Sequence, residues 1–401
     1  MENFERQLAQ ATSPETRDVL GAIAFVINRS ATTLYHHAAG FQSLDPNAPP
    51  LDPDSTVAIM SAGKFLTHIA ALQLVERGTL ALDEPVSAVL PELDRLPIIT
   101  HDPSSTSSFQ LVPATKKITL RHLLLHTSGL SSTDDPAIAR YLATDPAPLY
   151  PPDAKSFIVR NLSKPLVAEP GEGFAYGSST HWAQLLVARL AAKEADGSKD
   201  GANFLGYMRT NVFEPLGLEA STYVPAETPP VWERRLRMVE RKEGVLVEAD
   251  GQTQGLTCSI SDIKKILRDL LSSESKLLRD RNLVDLLFSD GQLTGPALDK
   301  LRGDPENWKY CTGSPVTTSG DGPPSVNWTA AGVMVMGSGS QERWGIPDGT
   351  ITWEGSPNVR WAVNREKGLA LFFATQLIPF GDEKAHGLAE LFMKDAWKTF
   401  A

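Results

Sequence analysis

Strand-like patterns lie at both ends of this chain and helical patterns fill its middle, and that arrangement constrains the fold more than any other feature. Residues 22–28 and 33–39 flank the polar turn Arg29-Ser30, which predicts a hairpin. Residues 330–336, 350–353, 360–364 and 369–376 read as successive strands joined by short turns, the signature of an antiparallel sheet. Between these ends, residues 121–125, 182–192, 204–212 and 262–271 carry helical spacing, separated by loops rich in Gly and Pro. Further helices are predicted at 2–10, at 64–77 (stopped by Gly78) and at 384–398. Residues 82–91 form a turn-rich connector, 101–115 a polar exposed loop, and 303–327 a polar stretch rich in Gly and Pro. The expected architecture is α/β (α+β): an antiparallel sheet flanked by helices, with a helical lobe inserted. Residues 1–81 and 321–401 would build the sheet lobe, 82–320 the mainly helical lobe, and the active-site cleft would lie between them. The length of 401 residues suits two lobes better than one core.

Composition removes several function classes. The formal net charge is -10, and no basic patch suited to nucleic acid or an anionic membrane stands out. The apolar run at 21–27 is far too short to span a bilayer. The N-terminus has neither the basic start nor the apolar stretch of a secretory signal. The two cysteines, Cys258 and Cys311, are far apart and show no metal-ligand spacing. These features predict a cytoplasmic protein with no metal, no cofactor, no nucleic-acid partner and no membrane span.

The chemistry points to Met60-Ser61-Ala62-Gly63-Lys64. Ser61 stands at the start of the helix predicted for 64–77, and Lys64 follows three residues later on the same face. A serine hydroxyl is a poor nucleophile until a base takes its proton, and a partly desolvated lysine can be that base. The helix N-terminus favours negative charge developing on the serine. Spacing alone is weak support, because Ser-x-x-Lys also occurs at Ser261 and Ser273. Ser261 reads as a helix N-cap and Ser273 lies in a polar linker. Ser61 differs in having a strand-like approach and a long apolar helix after it.

Four ordered motifs carry a resemblance. Ser61-Ala62-Gly63-Lys64 is the first. The second is Lys117-Ile118-Thr119-Leu120-Arg121-His122-Leu123-Leu124 with His126-Thr127-Ser128-Gly129-Leu130. Phe174-Ala175-Tyr176-Gly177-Ser178 and Trp353-Glu354-Gly355-Ser356-Pro357-Asn358 follow. Together they resemble the serine β-lactamase-like superfamily of class C β-lactamases, D,D-peptidases and esterases, and most of all its fungal lovastatin-type acyltransferases. The resemblance spans roughly residues 5 to 400 and implies a β-lactamase/transpeptidase-like fold.

The resemblance implies roles for individual residues. Ser61 would form an acyl-enzyme, Lys64 would act as general base, and Tyr176 would carry the proton to the leaving group and from the acceptor. The backbone N–H groups of Ser61 and Ser356 would form the oxyanion hole. Ser178, Trp353, Glu354, Gly355, Asn358, Trp361 and Phe380 are the candidates for binding substrate. Trp353 occupies the position of the lysine that holds a β-lactam or peptide carboxylate, which argues against both of those activities. Glu354 stands where related acyltransferases tend to have Gly, and three readings stay open: it narrows the site, pairs with an Arg, or binds a polar acceptor. Read without the motifs, Tyr176 is an ordinary half-buried tyrosine, and alternating Trp353 and Trp361 are core aromatics. His126 is read as a structural residue of the Thr-Ser-Gly turn beside it.

The resemblance thus implies transfer of an acyl group from a thioester or ester donor, pantetheine-like or carrier-protein-bound, to the hydroxyl or amine of a small molecule in secondary metabolism. A hydrolase using the same residues, with water as acceptor, is the alternative. A non-catalytic binding protein is a third reading, against which the intact Ser61, Lys64 and Tyr176 speak.

Overall fold

The computed structural model describes residues 1–101, 109–192, 199–253, 255–304, 308, 325–337 and 345–401. Strand β1 (Gly21–Asn28) is buried along nearly its whole length, and β2 (Thr33–Gly40) is its more exposed antiparallel neighbour. A strand apolar on both faces needs a helical layer on each side. The sequence supplies both layers. On one face, the first helix (Glu2–Ala11) packs on the last (Glu383–Phe400), and Phe4, Phe373 and Phe392 meet with ring centroids 5.3–6.3 Å apart. Each such ring, fully buried, contributes about 1.5–3 kcal/mol. On the other face lies the helix Ile260–Leu271, whose buried Ile263, Ile266, Leu267 and Leu270 follow helical spacing.

Six further strands come into this account in chain order: β3 (Thr56–Ala58), β4 (Ile98–His101), β5 (Phe109–Val112), β6 (Ser221–Thr222), β7 (Val239–Lys242) and β8 (Val245–Glu248). After them come β9 (Thr257–Ser259), β10 (Val326–Trp328), β11 (Val333–Val335), β12 (Thr350–Gly355), β13 (Val359–Asn364), β14 (Leu369–Ala374) and β15 (Leu377–Ile378). Among the described residues, the main sheet is antiparallel with the order β10-β11-β12-β13-β14-β1-β2. The first strand is therefore hydrogen-bonded to the last long one, so the two ends of the chain meet in one sheet.

Several elements differ from the sequence reading. Phe109–Val112, placed in an exposed loop, pairs with Ile98–His101 as a hairpin, and residues 102–108 lie outside the described residues. Val326–Trp328 is the edge strand of the main sheet, although it falls in a stretch read as polar loop; the rest of that stretch is largely outside the described residues. The segment 82–320 also carries short strands. Val239–Lys242 pairs with Val245–Glu248 and, in parallel, with Leu377–Ile378, while Thr257–Ser259 pairs with Thr56–Ala58. These runs are two to four residues long, too short to show a period of two against helical neighbours. Ser261 is not the N-cap of its helix: Ser259 is, its hydroxyl accepting from the Asp262 N–H at 3.2 Å.

Register assigns side chains to faces. Trp353, Trp361, Phe372 and Phe25 are successive cross-strand partners, so they share the face of the helix Ile260–Leu271. Glu354, Arg360, Phe373 and Ala24 form the adjacent row, on the face of the two terminal helices. Among the described residues, no helix is long and apolar enough to cross a membrane.

Candidate active site

Strand β3 delivers the chain into a single 3₁₀ turn, Met60–Gly63, which runs on into the helix Lys64–Glu76. Met60, just before Ser61, has φ +47°, a left-handed conformation that costs a side-chain-bearing residue energy and has to be held by its surroundings. Three contacts hold it. The Ile59 N–H donates to Leu256 O at 2.9 Å. The Trp361 indole N–H donates to Ala62 O at 2.8 Å. Gly355, at the end of β12, lies so close that an added Cβ would stand 2.1 Å from Ile59 O and 3.3 Å from Ala62 N. The fourth motif is thus pressed against the first, and only glycine permits the approach.

The third motif, with Tyr176, arrives from the helical side. Lys64 Nζ donates to the Tyr176 hydroxyl at 2.8 Å, and the Trp353 indole N–H donates to the same oxygen at 3.2 Å. The Tyr176 ring lies 4.7 Å from that of His126, 5.0 Å from Trp353 and 5.8 Å from Trp328. Two donors and three aromatic neighbours fix the phenol in place. The Ser61 hydroxyl makes no hydrogen bond to another described residue. Lys64, expected within reach of that hydroxyl, makes its hydrogen bond to Tyr176 instead.

The His-Thr-Ser-Gly segment supports Tyr176 from behind. His126 O accepts from the Ala175 N–H at 2.9 Å, and the Ser128 and Ser179 hydroxyls bond at 2.8 Å. Gly177 sits where an added Cβ would be 2.5 Å from Leu130 O. His122 and Thr119 form a capping box at the start of the helix Leu120–Leu124. Burial, with His68 and Lys64 nearby, pushes the His126 imidazole well below its ordinary range and keeps it neutral. Its Nδ1 is buried and has no hydrogen-bond partner among the described residues. His126 is therefore a wall of the tyrosine pocket, in line with the structural role read from the sequence.

Among the described residues, two cavities reach Ser61. One, about 270 Å³, holds Ser61, Tyr176 and Ser356, with Trp353, Gly355 and Phe380 in its walls. The other, about 450 Å³, opens on the Lys64 side of Ser61. Of the residues expected to bind substrate, Trp353, Gly355 and Phe380 line the smaller cavity. Glu354 reaches it too, but its carboxylate belongs to the other face of the sheet, where Arg360 donates to it at 3.4 Å and also contacts His386 Nε2 at 2.6 Å. Pairing with an arginine is thus the reading of Glu354 that the geometry selects. Asn358 and Trp361 do not line the cavity. The Asn358 amide bonds Leu377 O, Pro379 O and Gly381 N at 2.7–3.0 Å, which ties down the turn carrying Phe380. Trp361 holds the turn carrying Ser61 through its indole N–H. Ser178 is buried as the N-cap of the helix Ser179–Ala191 and lines neither cavity. Their positions follow from strand alternation and capping, which motif matching alone does not resolve.

Sequence reasoning missed Trp328, because its strand was read as loop. It also missed His181 and Gln184 in the larger cavity. Their signal was available: they lie three residues apart on the helix that directly follows the third motif, and so share a face.

A family model described as Beta-lactamase matches residues 2–391. The chain is 31% identical to the acyltransferase calJ of Penicillium decumbens, over the whole chain and 99% of that protein. It is 29% identical to the monacolin J acid methylbutanoyltransferase of Aspergillus terreus, over 94% of the chain and 91% of the relative. It is 27% identical to the lovastatin esterase of Penicillium rubens, over 96% of each. The unliganded structure of simvastatin synthase (LovD) from Aspergillus terreus superposes with a TM-score of 0.83 at 27% identity, covering all of this chain and 98% of that one. With that family-model match over nearly its whole length, and with the Ser61 turn, tyrosine pocket and closing strand in this order, the chain belongs to the beta-lactamase family.

Proposed function

We propose that this chain is a serine acyltransferase that moves an acyl group from a thioester or ester donor, by way of an acyl-Ser61 intermediate, to the hydroxyl or amine of a small molecule in secondary metabolism. The observation that carries this reading is the Lys64 Nζ–Tyr176 hydroxyl contact of 2.8 Å beside a cavity that also holds Ser61. Relatives named as acyltransferases, similar over nearly the whole chain, support it.

The proposed steps balance. Ser61 Oγ attacks the carbonyl carbon, and its proton passes to the Lys64–Tyr176 pair. The oxyanion sits between the Ser61 and Ser356 N–H groups. Collapse expels the thiolate or alkoxide, which takes the proton from Tyr176. The acceptor then enters, gives its proton to the pair and attacks the ester carbon. Release of the product returns a proton to Ser61. Trp353 supplies a neutral donor to Tyr176 where a β-lactamase would carry a lysine, so a neutral acyl donor fits better than a carboxylate-bearing one. We take the donor to be pantetheine-like or carrier-protein-bound, and the location to be cytoplasmic, consistent with a buried free thiol at Cys258. The lobes are proposed as 1–81 with 321–401, and 82–320, with the helix Ile260–Leu271 packed on the sheet side.

A hydrolase would use the same residues with water as acceptor, and one relative is named as an esterase. Incubation with a short acyl-pantetheine, with and without candidate alcohols, separates the two by mass spectrometry. Transfer requires an adduct on the peptide containing Ser61 that persists until an alcohol is added. Rapid loss of the adduct in buffer alone identifies the hydrolase.

A further inference from the structure

The two cavities that meet at Ser61 differ in one respect that assigns their contents. Tyr176 lines the smaller and not the larger. In the proposed reaction, the leaving group and the acceptor each exchange a proton at Tyr176, so both must occupy the Tyr176 side, one after the other. The acyl group hangs from the same carbon and stays bound throughout the exchange. It needs a space of its own, away from the tyrosine.

We infer that the cavity of about 450 Å³ on the Lys64 side of Ser61 holds the acyl group, and that Gln184 selects neutral acyl groups bearing a hydrogen-bonding group at their far end. This inference rests on the acyl-enzyme reading above. The volume lies within the range of small-molecule sites, about 300–1,000 Å³. Phe204, Leu205 and Leu256 supply apolar wall, and among its described lining residues Lys64 is the one Lys, Arg, Asp or Glu. A neutral chain is the matching occupant. Gln184 is half-buried, faces this cavity and makes no hydrogen bond to another described residue. A carboxamide offers two donors and two acceptor lone pairs, and leaving them unmet beside apolar wall costs free energy that a hydroxyl or amide of the ligand would recover. His181, one turn earlier on the same helix face, lies exposed at the mouth.

The test uses three N-acetylcysteamine thioesters, of acetic, hexanoic and 6-hydroxyhexanoic acid, with the full-length protein. Mass spectrometry gives the rate of acylation at Ser61, read as the ratio of hydroxyhexanoyl to hexanoyl. The wild type should prefer the hydroxylated chain about fivefold or more, from one gained hydrogen bond. Gln184→Leu should bring that ratio to one or below. Leu205→Phe, which narrows the cavity, should lower the six-carbon rates relative to acetyl. An unchanged hydroxyl preference in Gln184→Leu, together with unchanged chain-length selectivity in Leu205→Phe, overturns the inference while leaving the acyl-enzyme intact. Failure of all three thioesters to label Ser61 in the wild type overturns the reading beneath it as well.

Discussion

Gly355 rests against the carbonyl of Ile59, leaving no room for even one side-chain carbon: a Cβ there would stand 2.1 Å from the oxygen. That oxygen is backbone, so no flexible side chain can yield. The end of β12 and the turn carrying Ser61 are therefore one unit, and the two proposed oxyanion donors, on Ser61 and Ser356, are set by it. Gly355→Ala should push them apart. Steady-state kinetics should show a fall in kcat of about 100- to 1,000-fold, the size of losing an oxyanion donor. A fold that melts cooperatively near the wild-type temperature would localise the loss to the site.

Lys64 and Tyr176 share one hydrogen bond, and in the proposed reaction they carry one proton between them. Lys64→Ala and Tyr176→Phe should each reduce kcat by orders of magnitude, and the double variant should be little worse than either single one, because the two act as a unit. Losses that multiply in the double variant would mean that the two residues act independently.

Trp353 gives its indole N–H to the same phenol oxygen. Trp353→Phe keeps an aromatic wall but removes that donor. We expect kcat to fall about tenfold, from roughly 1.4 kcal/mol of lost stabilisation, with a smaller change in KM for the acceptor. A change confined to KM would reassign Trp353 to substrate packing alone.

His68 predicts how stability depends on pH. Its ring is buried one turn beyond Lys64, with Nδ1 donating to Ala330 O at 2.8 Å and Nε2 accepting from the Thr180 hydroxyl at 2.9 Å. Burial, the largest influence, pushes its pKa from the ordinary 6.5 down to about 4. Between these values the unfolded chain binds a proton that the folded chain refuses. Stability is therefore full above about pH 6.5 and falls as pH drops toward 4, by on the order of 3 kcal/mol. His126 acts in the same direction. Urea midpoints at several pH values should show His68→Gln with a shallower acid slope than the wild type. Parallel slopes would place the titration elsewhere.

The sequence made the long, repeated patterns legible and left the short ones unread. Strands 22–28 and 360–364 and the helix after Lys64 have enough residues to show their period. Val326–Trp328 and Thr257–Ser259, of three residues each, do not, although one carries Trp328 to the tyrosine pocket and the other braces the strand before Ser61. Ser61, Lys64 and Tyr176 were legible because ordered motifs marked them, whatever the spacing between. The pocket residues were harder. Trp353 and Glu354 are adjacent letters, yet strand alternation sends the indole to Tyr176 and the carboxylate to Arg360 on the opposite face. Asn358 looks like a binding residue as part of a motif, and becomes a turn anchor once its partners are known.

Ser61, the proposed nucleophile, offers the most direct measurement. Wild type and Ser61→Ala are incubated with a short acyl-pantetheine and an alcohol acceptor, and ester product and intact mass are followed together. The account predicts a mass increase of one acyl group and steady product formation in the wild type, with neither in the variant. Product formation by Ser61→Ala at the wild-type rate would contradict it.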